Sequence, residues 1–265
     1  MSRLLFTGER LHEGNQLFSV DLVRHRSAYA YAIEQARQRS TNRILDLGCG
    51  TGYGTADLAA ALGSVFAVDR ITPDTGARHP NAHFLRAEAG SLPLRSQSFD
   101  MVVSFQVVEH LVDPHPYLDA IAQLLSPQGV ALLSTPNLTQ SDGENPFHVK
   151  EYTSQEFQDL LTPHFEEVDM LGVAASPEPK AYYDARLERI RRIVRIDPLR
   201  LRRILPQALI ESLFAAFAIV VRRGIQKSDG LPEVTLEDFP VVPANDECLD
   251  LMAVCRGPRR TGASV

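Results

Sequence analysis

The chain has 265 residues, an apolar share of 44% and a formal net charge of −6 at pH 7. This length supports one large domain, or one domain with an insertion, around a substantial core. The acidic balance argues against a nucleic-acid partner, and no apolar run reaches the roughly 20 residues that span a bilayer.

Cysteine usage and the N-terminal residues indicate the compartment. The three cysteines include no C-x-x-C pair of the kind that binds metal, so a reducing environment is the simple inference. The apolar stretch at residues 4–6 is too short for a signal peptide. We therefore expect a cytoplasmic protein that has no transmembrane segment and touches a membrane at most peripherally.

The first predicted element is a helix at residues 22–39, after a polar and irregular start. Two interpretations of this helix stay open. It either covers an edge of a sheet, or it acts as a lid over a ligand site. The lid would bring one of four side chains to the ligand: Arg10, His25, Arg26 or Tyr29.

A strand at 44–47 then enters a tight turn whose glycines stand at alternate positions, Gly48, Gly50 and Gly52. Glycine permits a sharp turn and a close approach of the backbone to a ligand. A helical segment at 55–62 follows, and its N-terminal N–H groups would point at that ligand. The dinucleotide fingerprint G-x-G-x-x-G is excluded, because it requires glycine where this chain has Tyr53.

The segment Leu45-Asp46-Leu47-Gly48-Cys49-Gly50-Thr51-Gly52 resembles motif I of class I S-adenosylmethionine-dependent methyltransferases. That cofactor carries an ammonium, a carboxylate and a sulfonium, so an acid beside bare backbone suits it. The resemblance implies an α/β fold with a Rossmann-like seven-stranded sheet, an antiparallel last strand, and S-adenosylhomocysteine as product. It implies cofactor contacts at Asp46, Gly48, Cys49, Gly50 and Gly52.

Further cofactor contacts are expected after the next strands. The strand at 63–69 ends in Asp69, 19 positions after Gly50, where an acid binds ribose hydroxyls in doubly wound folds. In the family, the loop after the third strand lies on the adenine, and Glu88 and Ala89 occupy those positions here. The resemblance also assigns cofactor contacts to Arg70 and to Gln106, which is predicted to open the next helix.

The remaining elements complete a βα alternation, which favours a parallel sheet with helices on both faces. Strands are predicted at 98–105, 130–135, 165–171 and 248–256, and helices at 106–111, at 114–125 and from Thr153 onward, where an N-cap signature stands. Residues 257–265 are expected to form a disordered tail.

The interval between the last two strands is too long for a hairpin and is predicted to be a helical insertion. The domain prediction is an N-terminal helical lead at 1–40, a cofactor-binding domain at 41–173 plus 244–257, and a basic insertion at 174–243. Residues 180–227 hold twelve Lys or Arg and four Asp or Glu. The insertion is interpreted as a solvated cap, as a site for an anionic acceptor through arginine forks, or as a contact with an acidic membrane or a second copy in a homodimer.

Two histidines are candidate catalytic bases, because a hydroxyl acceptor holds its proton tightly. His148 ends the loop after the fifth strand, and His110 follows Glu109 after the fourth. Each has a structural alternative, in which the ring only holds a loop.

A metal ion is a separate question. The segment Gln106-Val-Val-Glu109-His110 resembles the Glu-x-x-Glu-His segment that holds a divalent ion in ubiquinone-type O-methyltransferases. Gln106 replaces the first acid, and Mg²⁺ prefers carboxylates. We therefore assign no metal ligand, and magnesium dependence stays an open alternative.

The expected reaction is O-methylation of a small-molecule or sugar hydroxyl. The segment Phe6–Arg10, with His25-Arg26 and Ala28-Tyr29, resembles the lead of methyltransferases found among cell-surface polysaccharide enzymes, which favours sugars. Two alternatives remain: N- or C-methylation of a small metabolite, and a non-catalytic scaffold that partners a glycan-synthesis enzyme.

Overall fold

The computed structural model describes residues 11, 16–71, 79–88, 92–141, 145, 147–194 and 230–260. Eight strands form one sheet: β1 (Ile44–Leu47), β2 (Val65–Asp69), β3 (Ala82–Arg86), β4 (Phe99–Phe105), β5 (Leu125–Pro136), β6 (Phe165–Val173), β7 (Val241–Pro243) and β8 (Asp250–Pro258). Within these residues, five α-helices pack around it: α1 (Ser19–Gln38), α2 (Tyr53–Leu62), α3 (His115–Leu124), α4 (Ser154–Leu161) and α5 (Pro177–Val194).

The strand order is β3-β2-β1-β4-β5-β8-β6-β7. Strands β1 to β5 run parallel, and β8 lies antiparallel between β5 and β6. The order reverses between β1 and β4, and in open α/β sheets ligands bind outside the carboxyl ends of the strands at such a switch point. The glycine turn lies there, because it follows β1 directly.

The predicted fold class is confirmed, including all seven strands and the antiparallel last one. Strand β7 is additional. It is a three-residue edge strand that pairs antiparallel with β6, too short to show a period in the sequence. Strand β8 also runs to Pro258, two residues into the predicted tail.

Local signals explain where two helices begin. The predicted N-cap of α4 is a capping box, in which Thr153 Oγ1 accepts from Glu156 N and Glu156 Oε2 accepts from Thr153 N at 2.9 Å.

The prediction of a helix at 106–111 is wrong. Gln106 has φ +57°, a left-handed conformation that ends regular structure, and only a 3₁₀ turn, Val108–His110, follows. Helix α3 begins at His115, after Pro114.

Neighbouring residues of the central strands face opposite sides of the sheet. Val102 packs into a cluster with α3 and α4, whereas Val103 packs into a second cluster with α1 and α2. Both faces are therefore covered, as the βα alternation predicted. Within the part of the chain that the structure describes, no helix combines the length and apolar character needed to cross a membrane.

The described parts of the insertion pack against the N-terminal helix. Tyr182 and Tyr183 of α5 form a small core with Val20 of α1, Phe239 and Leu249. The sequence predicts helical runs within the insertion at 185–195, 199–205 and 207–221, and the first of these falls largely within α5. The runs at 199–205 and 207–221 lie outside the described residues, as does Arg10.

Helix α1 meets α2 where Gly54 faces the ring of Tyr29. A Cβ on Gly54 would lie 2.0 Å from Tyr29 Cζ, and that ring is held edge-on between Phe105 and Tyr53. The absence of a side chain at Gly54 therefore sets the distance between the two helices.

We expect Gly54→Ala to lower the free energy of unfolding by about 1–3 kcal/mol, because the buried ring cannot move aside without repacking. Thermal or urea unfolding would measure this change. Ala60→Ser, on the exposed side of the same helix, is the control and should stay within ~0.5 kcal/mol of wild type. An equally stable Gly54→Ala variant would show that the α1–α2 contact is loosely packed.

Candidate active site

The glycine turn has the backbone conformation that the sequence predicted. Gly48, Gly50 and Gly52 have φ values of +84°, +55° and +89°. A Cβ on Gly48 would lie 2.3 Å from Val107 Cγ2, so the turn packs against the loop after β4. A Cβ on Gly50 would meet no atom of the described residues within 4 Å. The turn is thus packed at its first glycine and open at its second.

Asp46 is fully buried at the end of β1. Its Oδ2 accepts a hydrogen bond of 2.6 Å from Thr55 Oγ1, and its Oδ1 accepts one of 3.4 Å from the Tyr29 hydroxyl. Burial raises the pKa of Asp46 to about 7, although these two bonds oppose the shift. Asp46 therefore ties β1 to α1 and α2, and its direct contact with a cofactor stays a prediction.

Asp69 lies beside the turn, at the end of β2. Gly50 N donates to Asp69 Oδ2 at 2.9 Å, and Ile71 N donates to Oδ1 at 3.0 Å. These bonds fix the carboxylate next to the open glycine. Each carboxylate oxygen accepts more than one hydrogen bond, so Asp69 retains the capacity to bind a ribose diol.

Two further predicted cofactor residues lie around the turn. The Cys49 side chain is buried, and burial raises its thiol pKa, so its backbone is the part that a ligand would meet. Gln106 is half-buried, its N–H donates to Ser134 O at 3.0 Å, and its Nε2 lies 3.4 Å from Ser134 Oγ.

The other predicted contacts lie at the exposed end of β2 and β3. Arg70 is exposed, and its carbonyl accepts from Arg86 Nε at 2.9 Å. Glu88 is exposed in the loop after β3. Ala89 lies outside the described residues.

Both predicted bases come together with a buried acid at the carboxyl ends of β4 and β5. Ligand atoms of Glu109, His110 and His148 lie within 4.8 Å of one another. Val149 N and Lys150 N donate to the Glu109 carbonyl at 2.7 and 3.2 Å, which holds the loop after β5 against the turn after β4.

Glu109 supplies the carboxyl group of this cluster, and its side chain is fully buried. Its Oε2 accepts from Thr135 Oγ1 at 3.2 Å, whereas its buried Oε1 accepts no hydrogen bond from any described residue. Burial raises the pKa of Glu109 to about 8, and the nearby His148 opposes that shift. Near neutral pH this group is therefore largely protonated.

His148 is oriented by two neighbours. Its Nδ1 lies 2.6 Å from Glu151 Oε1, and its Nε2 lies 2.9 Å from Asn145 Nδ2. Because the amide nitrogen is a donor, Nε2 is the acceptor and Nδ1–H donates to Glu151. Burial alone would raise the pKa of Glu151, but hydrogen bonds from His148 and Ser141 outweigh it and lower that pKa.

His110 supports the same arrangement from the other side. Its Nδ1 lies 2.9 Å from the Phe147 carbonyl oxygen, and its ring meets the His148 ring edge-on at 5.0 Å. Sequence reasoning missed Glu151 as the partner of His148. The available signal was an acid three residues after a candidate base, on a loop that leads into a capped helix.

The donor set does not fit magnesium. Among the described residues, the ligand cluster consists of two imidazoles and one carboxylate, whereas Mg²⁺ demands oxygen ligands. Gln106 supplies an amide where the similar segment has a carboxylate. Magnesium is therefore not supported as a cofactor.

The three described candidate lid residues contact α2 and β1, and the lid interpretation stays a prediction. His25 Nδ1 lies 3.3 Å from the Tyr53 hydroxyl, and Arg26 Nε pairs with Asp57 at 2.7 Å. Burial, together with the neighbouring Arg24, lowers the pKa of His25 to about 3, so the ring is neutral. Together with Tyr29, these side chains attach α1 to α2 and β1.

Comparison with known proteins identifies the family. The profile of the family described as "Methyltransferase domain" matches residues 22–176. A probable S-adenosylmethionine-dependent methyltransferase of Mycolicibacterium smegmatis is 36% identical over 181 residues, which cover 65% of this chain and 69% of the relative. A relative of the same description from Mycobacterium tuberculosis is 34% identical over 184 residues, 66% of each chain. The chain thus spans about two thirds of the length of these relatives.

More distant matches add the fold and a coarser hint of chemistry. A ubiquinone biosynthesis O-methyltransferase of Dinoroseobacter shibae is 33% identical over 102 residues, 36% of this chain and 41% of the relative. A methyltransferase structure from Thermotoga maritima, described as a possible histamine N-methyltransferase, aligns with a TM-score of 0.55 at 17% identity over 95% of this chain and 98% of its own. At that identity the likeness shows the fold alone.

The open position at Gly50 predicts a specific loss of cofactor binding. We expect Gly50→Ala to weaken S-adenosylhomocysteine binding tenfold or more, an estimate of about 1.4 kcal/mol, because its Cβ enters the ligand's space. The matched control is Gly63→Ala at the end of α2. Gly63 also has a positive φ, +94°, and open surroundings, so this control reproduces the backbone strain outside the site. Ligand-induced thermal shift measures binding in both. An unchanged shift in Gly50→Ala would place the cofactor elsewhere.

The raised pKa of Glu109 predicts a pH-dependent stability. Its folded pKa of about 8 lies above an unfolded value of about 4.3, so the folded state retains a proton that the unfolded state loses between these values. The free energy of unfolding should therefore fall as pH rises from about 4 to about 8, the window set by these two pKa values. In Glu109→Gln this part of the fall should disappear, whereas the exposed control Glu34→Gln should follow wild type. Unfolding midpoints from pH 5 to 8.5 test this, and identical profiles for Glu109→Gln and wild type would refute it.

The matched family profile covers more than half of the chain, and the turn that carries motif I is open to a ligand at the switch point of the sheet. The chain belongs to the class I S-adenosylmethionine-dependent methyltransferases.

Proposed function

We propose that this enzyme methylates a hydroxyl group of a small molecule or sugar, with His148 as the base. The observation that carries the proposal is the pairing of His148 Nδ1 with Glu151 Oε1 at 2.6 Å, at the carboxyl ends of the strands beside the cofactor turn. The relative from Dinoroseobacter shibae, an O-methyltransferase by description, supports oxygen as the acceptor atom over the region it shares.

A hydroxyl acceptor needs this kind of residue. A neutral amine has a lone pair to share, but an alcohol holds its proton tightly and is a weak nucleophile until that proton is removed. A neutral imidazole whose Nδ1–H is held by a carboxylate presents Nε2 as a proton acceptor near pH 7. Glu151 then stabilises the imidazolium that forms.

The proposed step balances with these residues. When bound, the cofactor supplies a methyl group on a positively charged sulfur. The sulfur is the leaving group and keeps the electron pair of the carbon–sulfur bond. The acceptor oxygen forms the new bond to that carbon, and its proton passes to His148 Nε2. For this, the acceptor hydroxyl takes the position at Nε2 that Asn145 Nδ2 contacts in the structure.

The surrounding residues position the base. Glu109 holds the His148 loop through its carbonyl, and the loop after β4 packs on the glycine turn through Val107. The base and the cofactor turn are therefore connected through the backbone of the His148 loop, the turn at Glu109 and the side chain of Val107. Fixed placement of this kind is the main contribution of an enzyme to an in-line displacement.

We expect His148→Gln to lower kcat by about 10²–10⁴-fold, because the acceptor proton loses its base. Glu151→Gln should cause a smaller loss, since the imidazole stays in place but its cation loses a carboxylate. S-adenosylhomocysteine binding should remain unchanged in both. His110→Gln is the matched imidazole control and should retain most activity.

The assay uses S-adenosylmethionine with a labelled methyl group and a panel of glycosides, phenols and amines. A labelled methyl ether as product supports the proposal. Labelled methylamine products would favour N-methylation instead, and full activity in His148→Gln would remove His148 as the base. Absence of transfer to every acceptor, with intact cofactor binding, would favour the scaffold alternative.

A further inference from the structure

A second buried polar group lies between α1, α5 and the start of β8. Arg24 Nε of α1 lies 3.3 Å from Asp250 Oδ2, and the two side chains are 16% and 3% exposed. Burial raises the pKa of Asp250, while Arg24 and the Gln106 amide oppose the shift. The proposed methyl transfer makes no use of this pair.

The charges around this pair cancel. Arg186 Nη1 of α5 lies 3.0 and 3.2 Å from the two carboxylate oxygens of Asp21, and the Tyr183 hydroxyl donates to Asp21 Oδ1 at 3.1 Å. The Tyr183 ring packs against both guanidinium groups, 5.0 Å from Arg24 and 6.0 Å from Arg186. Two arginines thus face two aspartates, and the group as a whole is neutral.

One hydrogen-bond donor and one hydrogen-bond acceptor in this group are unsatisfied. Arg24 Nε and Asp250 Oδ1 are both buried, and neither makes a hydrogen bond of ordinary geometry within the part of the chain that the structure describes. A buried polar group is normally hydrogen-bonded, and leaving one unsatisfied costs about 1–3 kcal/mol. By contrast, both oxygens of Asp21 accept hydrogen bonds. The unsatisfied atoms therefore mark the Arg24–Asp250 pair and not its neighbour.

Neighbouring residues connect the pair to the cofactor turn on one side and to the Glu109 cluster on the other. Asp250 pairs with Pro136 at the end of β5, next to Thr135, whose hydroxyl donates to Glu109. Asp250 is also close enough to Glu109 to raise the pKa of that carboxyl. On the other side, His25, which follows Arg24 on α1, contacts the Tyr53 hydroxyl at the start of α2.

We propose that Arg24 and Asp250 form the recognition subsite for a neutral, polyhydroxylated acceptor of the sugar type. One acceptor hydroxyl accepts a hydrogen bond from Arg24 Nε–H, and a neighbouring hydroxyl donates one to Asp250 Oδ1. This subsite deepens the proposed function and rests on it, since the molecule it holds is the one whose hydroxyl reaches His148.

The absence of net charge in this group favours a neutral acceptor over the anionic acceptor that the sequence left open. An anionic acceptor, such as a phosphorylated sugar, would meet Asp250 and Asp21 as well as the arginines, and so gains nothing from a neutral group. A neutral polyol satisfies the donor and the acceptor together. A phenol has a single hydroxyl, and when that hydroxyl reaches His148 none is left to bind Arg24 and Asp250. A site built to bind a hydroxyl rejects the analogue that lacks it.

The decisive variant is the double replacement Arg24→Gln with Asp250→Asn, which keeps the group neutral and avoids leaving a single buried charge. The matched control is Arg186→Gln with Asp21→Asn, the adjacent pair with the same change of charge. The probes are methyl glucoside, methyl mannoside, methyl galactoside and inositol, their monodeoxy analogues, glucose 6-phosphate and phenol. Acceptor binding is measured by calorimetry in the presence of S-adenosylhomocysteine, and KM and kcat by label transfer.

For wild type, we expect at least one neutral polyol to bind, with roughly tenfold or more preference over one of its deoxy analogues. The Arg24/Asp250 variant should lose that preference and raise KM about 10–100-fold, with kcat and S-adenosylhomocysteine affinity nearly unchanged. The Arg186/Asp21 variant should keep the preference. If the double variant does not fold, Arg24→Lys keeps the charge but removes the donor at Nε, and should lose the same preference.

Failure of this subsite and failure of the proposed function give different results. A polyol that binds wild type through Arg24 and Asp250 but is never methylated would refute the methyl transfer and leave the subsite standing. Methyl transfer with KM and deoxy preference intact in the Arg24/Asp250 variant would overturn the subsite alone. Tighter binding of glucose 6-phosphate than of every neutral polyol, or no binding of any polyol, would also overturn it.

Discussion

The close contact between Gly48 and Val107 is the constraint on which the active site depends. With no side chain at Gly48, the turn after β1 meets the loop after β4 at van der Waals distance. That loop continues into the turn that contains Glu109 and His110. The backbone carbonyl of Glu109 accepts hydrogen bonds from two N–H groups of the loop after β5. One missing side chain thus determines how far the base lies from the cofactor turn.

The sequence predicted the parts of this arrangement that arise from local pattern. Apolar runs located the strands, the alternate glycines located the cofactor turn, and spacing pointed to Asp69, which the structure places against Gly50 N. The candidate bases His110 and His148 were assigned to the loops after the fourth and fifth strands, and the structure brings the two side chains together. Capping chemistry predicted the start of α4 for the same reason, since its hydrogen bonds join residues three apart.

The remaining features depend on contacts that leave no local pattern. The left-handed conformation of Gln106, which breaks the predicted helix, arises where its N–H bonds Ser134 on the neighbouring strand. Arg24 and Asp250 stand near opposite ends of the chain and meet only because β8 inserts between β5 and β6. Counting charge along the insertion predicted a positive surface, yet Arg186 is paired with Asp21 of another helix.

Helix α1 contacts the cofactor side and the insertion with one set of side chains. Asp21 binds α5, Arg24 binds the start of β8, His25 reaches the residue after the glycine turn, and Tyr29 reaches Asp46. These four positions lie along one face of the helix. An insertion taken from a related enzyme would therefore lack the α1 side chains that pair with its own charges. A chimera with altered acceptor preference would have to exchange α1 and the insertion together.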